Sequence, residues 1–230
     1  MQKTKSSNRI LSDLPFATLA RLEPHMKRLD LKFGHVICDT GDKLRHVFFP
    51  ETCVLSLLGV VADGTAIETA VIGSEGLYAV DAIHHPPSFA RCLVQVEGRA
   101  VRIPVEQVSE EFARSEDVRC IFMTYSAKLV TQIHQSVVCA ALHSAEARLC
   151  RWLLAMQDRT GTDTLHFTHE FLAEILAANR TTVTIAARSL QRAGLIQYQR
   201  GKIIISDRMG IEEAACECYT VLSQQFHETR

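Results

Sequence analysis

The sequence predicts an α+β chain in which strands come first and helices later. Three observations carry this expectation. Between residues 29 and 104, short β-rich runs alternate with the turn residues Gly34, Gly41-Asp42, Asp63-Gly64, Gly73 and Gly98. From about residue 116 to 143 there is neither Pro nor Gly, and apolar residues recur at spacings of three and four. From Phe167 to Ile205 the chain reads FTHEFLAEILAANRTTVTIAARSLQRAGLIQYQRGKIII, two helix-periodic segments followed by a Gly stop and a hairpin. Runs of strands followed by runs of helices mark the α+β class.

A frayed start precedes a short helix, Pro15 to Leu22, stopped by Pro24. The strand-like runs are Leu29–Phe33, His35–Cys38, His46–Pro50, Cys53–Ala62, Thr65–Ile72, Arg91–Glu97 and Arg99–Pro104. Asp63-Gly64 between two apolar runs is a hairpin signal. This many short strands with regular turns predicts a small barrel or β-roll over residues 1–115, with short helices at its start. Val105 to Ala113 then reads as a helix. In the stretch free of Gly and Pro, Val118, Phe122, Tyr125, Leu129, Ile133 and Val137 form an apolar stripe of coiled-coil type. About 28 residues at 1.5 Å each span roughly 40 Å, too long for a helix inside so small a roll. The stripe can pack on the roll; the preferred reading is that residues 116–143 are a dimerisation helix that also pairs with its twin, with those six residues as the interface of a homodimer. Ser144 caps the next helix, in which Leu149, Trp152, Leu153 and Met156 begin the core of a third region, residues 144–230.

Within that region Thr168 is the expected N-cap of a helix carrying Leu172, Ile175 and Leu176 on its apolar face. Asn179 caps a second helix, whose buried face is Val183, Ala186, Ala187 and Leu190. Its outward face carries Thr181, Thr184, Ile185, Arg188 and Arg192, with Arg180 at the edge. Gly194 ends the helix as a left-handed residue does. Two strands follow with Arg200-Gly201 at their tip. This is the layout of a winged helix-turn-helix, which places one short helix in the major groove of DNA. Arg bonds guanine bidentately, Thr reaches a base or a phosphate, and an apolar tip such as Ile185 touches a thymine methyl. Arg200 and Lys202 on the wing meet phosphates. The expected DNA-binding residues are Asn179, Arg180, Thr181, Thr182, Thr184, Ile185, Arg188, Arg200 and Lys202, and the expected partner is double-stranded DNA.

Composition agrees with a regulator that is locally basic. Net charge over the 230 residues is −1 and hydrophobic residues make up 47%, so sizeable cores are available and the chain is not a general polyanion binder. No apolar run reaches the ~18 residues of a membrane span, and MQKTKSSNR lacks the apolar core of a signal peptide. A cytoplasmic protein with no membrane contact is expected. The eight cysteines are Cys38, Cys53, Cys92, Cys120, Cys139, Cys150, Cys216 and Cys218. Most fall in apolar runs and read as small buried hydrophobes, with a redox sensor or metal site as the alternative. No zinc spacing of Cys-x₂-Cys with His-x₃₋₅-His is present, so no metal site is expected. His84-His85 before Pro86-Pro87 reads as a loop. No Ser-His-Asp set, phosphate-cradling Gly loop or paired carboxylates emerge, so an enzyme is not expected.

The order of β-roll, long helix and winged helix-turn-helix resembles the Crp/Fnr superfamily of bacterial transcription regulators. The resemblance runs from about Leu11 to Asp207. It is carried by Gly41-Asp42, by Gly73-Ser-Glu-Gly76-Leu77, by Arg148 with Trp152, and by Asn179-Arg180-Thr181-Thr182-Val183 followed by Gly194-Leu195-Ile196 and Arg200-Gly201. It implies a cyclic-nucleotide-binding-like roll that senses a signal, a homodimer whose long helices shift, and recognition helices spaced about 34 Å apart. It also implies RNA polymerase as a partner and a small-molecule effector. By resemblance, Gly73, Glu75, Gly76, Arg91 and His134 stand where such an effector is held. Three departures argue against cyclic AMP. Glu75-Gly76 inverts the family's Gly-Glu order, Ala90-Arg91 stands in place of Arg-Ser, and Ile133 and His134 fall where hydroxyls meet the adenine. No Cys precedes Cys38, which argues against an iron-sulfur cluster. His35, His46, His84 and His85 remain as haem-ligand types. The cofactor is thus left unassigned.

The helix-turn-helix departs too. Ala177 replaces the turn Gly, Thr181 an acidic residue, and Ile185 a second Arg. Glu accepts from cytosine and Arg donates to guanine, so the operator is expected to shift toward T-rich half-site positions. The competing readings are a thiol-responsive or effector-independent regulator of the same fold, and a protein-interaction module with no DNA target.

Overall fold

The computed structural model describes residues 6–84 and 87–227. His85 and Pro86, part of the expected loop, lie outside the described residues. The chain divides into two compact units, residues 1–59 with 70–130 and residues 60–69 with 131–230. The division falls inside the long helix, whereas periodicity sets boundaries at its ends. A continuous helix hides from its sequence where the packing partner changes.

The first unit opens on α1 (Arg9–Asp13) and α2 (Phe16–Leu22), the latter followed by a 3₁₀ turn at Glu23–His25. The start is not frayed where it is described. Asn8 is fully buried, accepts from the Leu11 amide at 3.1 Å, and donates to the carbonyls of Pro50 at 2.8 Å and Gly76 at 2.7 Å. One amide thus caps α1 and fastens it to the end of a strand at Pro50 and to the turn at Gly76, a role no hydrophobic pattern announces. Seven strands follow, β1 (Lys27–Leu31), β2 (Val36–Cys38), β3 (His46–Pro50), β4 (Val54–Val60), β5 (Ala66–Ile72), β6 (Arg91–Val96) and β7 (Gly98–Pro104), of which residues 60 and 66–69 are counted with the second unit. They form two antiparallel sheets, in the orders β1-β7-β3 and β2-β6-β4-β5. The hairpin of β6 and β7 shares its strands between the two sheets, as the predicted roll requires. Val47, Phe49, Leu55, Leu58, Val94 and Ile103 are fully buried within them.

The expected Asp63-Gly64 turn is present, with Gly64 at φ +89° and the Asp63 carboxylate accepting from the Thr65 amide at 2.8 Å. Helix α3 (Val105–Arg114) presents Glu111, which is buried and pairs with Arg21 of α2 through two bonds of 2.7 and 2.6 Å. That pairing holds the Glu111 carboxyl below its ordinary range, and it locks the N-terminal helix to the end of the roll.

Helix α4 (Glu116–Leu142) runs for 27 residues, about 40 Å at 1.5 Å per residue. The second unit continues with α5 (Ala145–Thr160), β8 (Thr164–His166), α6 (His169–Ile175), α7 (Arg180–Arg192), β9 (Ile196–Gln199), β10 (Lys202–Ile205), α8 (Arg208–Ala214) and α9 (Cys218–His227). Ser144 caps α5 as expected, accepting from the Ala147 amide at 3.2 Å. The core centres on Trp152, fully buried, with Phe167 edge-on at 4.8 Å and its indole N–H donating to Glu68 at 3.1 Å. Glu68 is contributed by the 60–69 segment of the same unit. The sheet is three-stranded, β8-β10-β9, so the wing has a third strand beyond the two that the sequence predicts. Arg208 then binds Asp158, Gln157, Glu212 and the Tyr219 hydroxyl, at distances between 2.6 and 2.9 Å. These bonds tie α5, α8 and α9 into one body.

Candidate nucleic-acid interface

The turn between α6 and α7 is set by local chemistry. The Thr168 hydroxyl accepts from the Phe171 amide at 3.1 Å and starts α6. Asn179 starts α7, accepting from both the amide and the hydroxyl of Thr182 at 2.7 and 2.9 Å. A cap of this kind contributes about 1 kcal/mol. Between them Ala177 sits at φ +45°, a left-handed position that disfavours any Cβ by roughly 1–2 kcal/mol. Arg148 of α5 braces the turn by donating to the Leu176 carbonyl at 2.8 Å. Ala177 is exposed, so glycine there relieves strain and removes no packing. Ala177→Gly is expected to raise stability by about 0.5–1 kcal/mol, after the opposing entropy of the unfolded chain, and a urea midpoint that falls instead would refute the strain.

Helix α7 buries Val183, Ala186, Ala187 and Leu190, the predicted face. Arg180, Thr181, Ile185, Arg188 and Arg192 are exposed, Ile185 at 64%. At the wing tip Arg200 and Gly201 have φ of +49° and +79° and join Gln199 to Lys202 in a two-residue turn. None of Arg180, Arg188, Arg192, Arg200 and Lys202 makes an ion pair with a described residue. Five uncompensated cations on one helix and its wing form a local positive surface on a chain of net charge −1.

Three of the expected contact residues are already engaged. The side chains of Asn179 and Thr182 bond each other at the cap. Thr184 is half-buried, donates to the Arg180 carbonyl at 2.8 Å, and lies 3.0 Å from His169 Nδ1. With the Thr184 proton committed, His169 Nδ1 is the donor. The His169 ring also stacks on Tyr198 of the wing at 4.1 Å. Burial, then the charges of Arg180 and Arg188, lower its pKa and keep it neutral. His169, which the sequence marks only as the start of a helix, is the rivet joining α6, α7 and wing. Its signal is its place one residue after the Thr168 cap, and that place says nothing of the stacking partner.

The expected effector residues are not gathered into one pocket by their hydrogen bonds. Glu75 accepts from the Gly73 amide at 3.1 Å, closing its own turn. A Cβ at Gly76 would collide with the Tyr125 ring, so that glycine serves close packing against α4. Arg91 makes two bonds to Asp39, at 3.0 and 2.9 Å. His134 is exposed on α4. A cavity in the first unit lies elsewhere. It measures about 250 Å³ and is lined by His35, Lys43, Arg45, His46 and Arg102, among others.

The expected dimer stripe also divides. Val118, Phe122 and Tyr125 are buried within their own chain, Phe122 lying 6.2 Å from Phe112. Leu129 and Ile133 are half-buried, and only Val137 of the six is exposed. The outward row is instead Met123, Ala127, Val130, His134, Val137 and Ala141, all exposed and spaced four-three-four-three-four. The sequence stripe drifts at its C-terminal end to steps of four, which on a helix slide from one face to the next.

Residues 147–214 match the Crp-like helix-turn-helix domain. This is a Crp/Fnr fold with a Crp-like DNA-binding domain. A protein from Eubacterium rectale assigned to the Crp/Fnr family of transcriptional regulators superposes with a TM-score of 0.73 at 20% identity, covering 90% of this chain and 97% of that one. FixK2 from Bradyrhizobium japonicum gives 0.72 at 12%, with 83% and 98% covered. The c-di-GMP-responsive regulator CLP of Xanthomonas campestris gives 0.70 at 13%, with 84% and 100% covered. No curated protein sequence matches the chain. The Crp/Fnr fold agrees with the α+β order read from the sequence. Among the described residues, no helix is long and apolar enough to cross a membrane.

Proposed function

We propose that the protein is a homodimeric, sequence-specific transcription regulator whose roll receives a signal and sets the position of two recognition helices. One observation carries the DNA reading. Arg180, Arg188, Arg192, Arg200 and Lys202 are exposed together on the recognition helix and wing, with no described carboxylate paired to any of them. A protein-interaction module has no use for an uncompensated basic face around a capped groove-reading helix. The exposed heptad row of α4 supports the homodimer, since a seam of Met, Val and Ala at that spacing is buried by a twin helix. On DNA, such a dimer acts on transcription by recruiting or obstructing RNA polymerase.

The signal must bind one arrangement of the dimer more tightly than the other, or it shifts nothing. The cavity flanked by Lys43, Arg45 and Arg102, none ion-paired to a described residue, favours an anionic small molecule there. With Arg91 already held by Asp39, the phosphate position of a cyclic nucleotide is not the natural seat of that anion.

Selection of bound duplexes from a random pool tests the reading. The expected product is a dyad-symmetric site with half-sites one helical turn apart and thymine at the position met by Ile185. Enrichment of a TGTGA-like half-site would defeat the proposed operator. No enrichment at all, with binding insensitive to salt, would defeat DNA recognition.

A further inference from the structure

Four side chains of the second unit converge where α4 ends and α9 begins. Cys139 lies in the last turn of α4, and His143 one turn on, just past its end. Cys216 and Cys218 flank Glu217 at the start of α9. Their ligand atoms all lie within 4.8 Å of one another. The Cys139 and Cys216 sulfurs are 3.5 Å apart, and the Cys218 sulfur is 3.4 Å from His143 Nδ1. We propose that these residues form a closed Cys₃His site for a Zn²⁺ ion.

The dimensions fit. A tetrahedron built on Zn–S bonds of ~2.3 Å has sulfur–sulfur edges of roughly 3.8 Å, so the 3.5 Å Cys139–Cys216 pair opens by a few tenths of an ångström and the most distant pair, within 4.8 Å, closes by about 1 Å. The surroundings fit as well. His143 Nε2 is 3.2 Å from the Glu217 carboxylate and donates to it, which leaves the Nδ1 lone pair facing the sulfurs. That is the carboxylate–histidine pairing that orients imidazole ligands toward metals. Gln135 Nε2 donates to the Cys218 sulfur at 3.0 Å. The positive charge of Arg151 acts on the Cys139 sulfur. Arg151 Nε is itself buried without a hydrogen-bond partner among the described residues.

Three buried cysteines alone form an ordinary apolar cluster, and these do pack as one, with Ala147 beside them. Such a cluster gives no purpose to an oriented imidazole lone pair, an amide donor aimed at sulfur, and a nearby guanidinium whose Nε is buried. Three thiolates and a divalent ion leave one net negative charge, which that guanidinium offsets. Soft thiolate ligands with one imidazole select zinc among the common divalent ions.

Four protein ligands leave no open position, so the ion is structural rather than catalytic. It joins segments 77 residues apart and pins α9 to the end of the long helix. Both pairs of ligands fall outside residues 147–214, so the site is an addition to the Crp-like domain rather than part of its common plan.

The test uses full-length protein purified without chelator. Elemental analysis is expected to find about one zinc per chain. Cys139→Ser, Cys218→Ser and His143→Asn should each lose it, while Cys120→Ser, at an exposed cysteine of α4, should retain it. If the ligand variants do not fold, the wild type still decides the matter. Exchanged with Co²⁺ alone, it should show the intense thiolate charge-transfer and tetrahedral ligand-field absorption of a Cys₃His site. A pale octahedral Co²⁺ spectrum, full zinc retention in a Cys139→Ser/Cys218→Ser double variant, or a Cys139–Cys216 disulfide in the protein as isolated would each overturn the site.

Discussion

Val130→Asp is expected to turn the protein into a folded monomer. Val130 is 49% exposed at the middle of the outward row of α4, between Ala127 and His134. In a parallel pair of these helices each carboxylate would meet its twin across the seam, desolvated and like-charged. An unpaired buried charge costs about 3–5 kcal/mol, which is a weakening of the dimer by roughly 10²–10³-fold or more. Because Val130 faces solvent in the single chain, thermal unfolding of the monomer should change little. Analytical ultracentrifugation at micromolar protein reads the outcome directly. DNA affinity should fall to that of a single half-site reader, about 10²–10⁴-fold below the dimer, since linking two such readers contributes that factor through effective concentration. Leu129→Asp, suggested by the sequence stripe, should behave differently. Leu129 is half-buried against its own chain, so that change should lower the melting temperature. A Val130→Asp protein that sediments as the wild-type dimer would discard the outward row as the seam.

The contrast between these two neighbours shows what the sequence makes legible. Local signals survive the fold almost unchanged. Ser144, Thr168 and Asn179 each cap the helix that their spacing assigns to them. The buried face of α7 is the one that periodicity selects, and β3 begins and ends where expected. These features depend on residues within one or two turns of each other. What stays hidden depends on distant partners. A helix with apolar residues on more than one face does not say which face its own chain takes, so periodicity gives Val118, Phe122 and Tyr125 to a twin when the first unit buries them. The turn at Gly73–Gly76 reads as a ligand seat, although Asn8 and Tyr125 claim it. Cys139-x₃-His143 and Cys216-x-Cys218 are two ordinary pairs until the fold joins them, because no spacing rule spans the intervening chain.

Arg180→Ala and Lys202→Ala should weaken DNA binding in two different ways. Arg180 is the first residue of α7, exposed beyond the Asn179 cap, where a recognition helix meets base edges. Removing a bidentate bond to a base costs about 1–3 kcal/mol per half-site, roughly 5- to 150-fold. The loss should be confined to the cognate sequence, with tolerance rising at one base pair of each half. Lys202 sits at the foot of the wing turn, across from Gln199, and offers a flexible point charge suited to a phosphate. Its removal should weaken cognate and random DNA alike. It should also flatten the dependence of log affinity on log salt by about 0.9 for each phosphate that the ammonium neutralises. Titrations of operator and scrambled duplex at several salt concentrations separate the two. If Arg180→Ala weakened both duplexes equally and flattened the salt slope, Arg180 would be a phosphate clamp. The reading of sequence would then fall to Thr181, Ile185 and Arg188, the outward residues that follow it on the same helix.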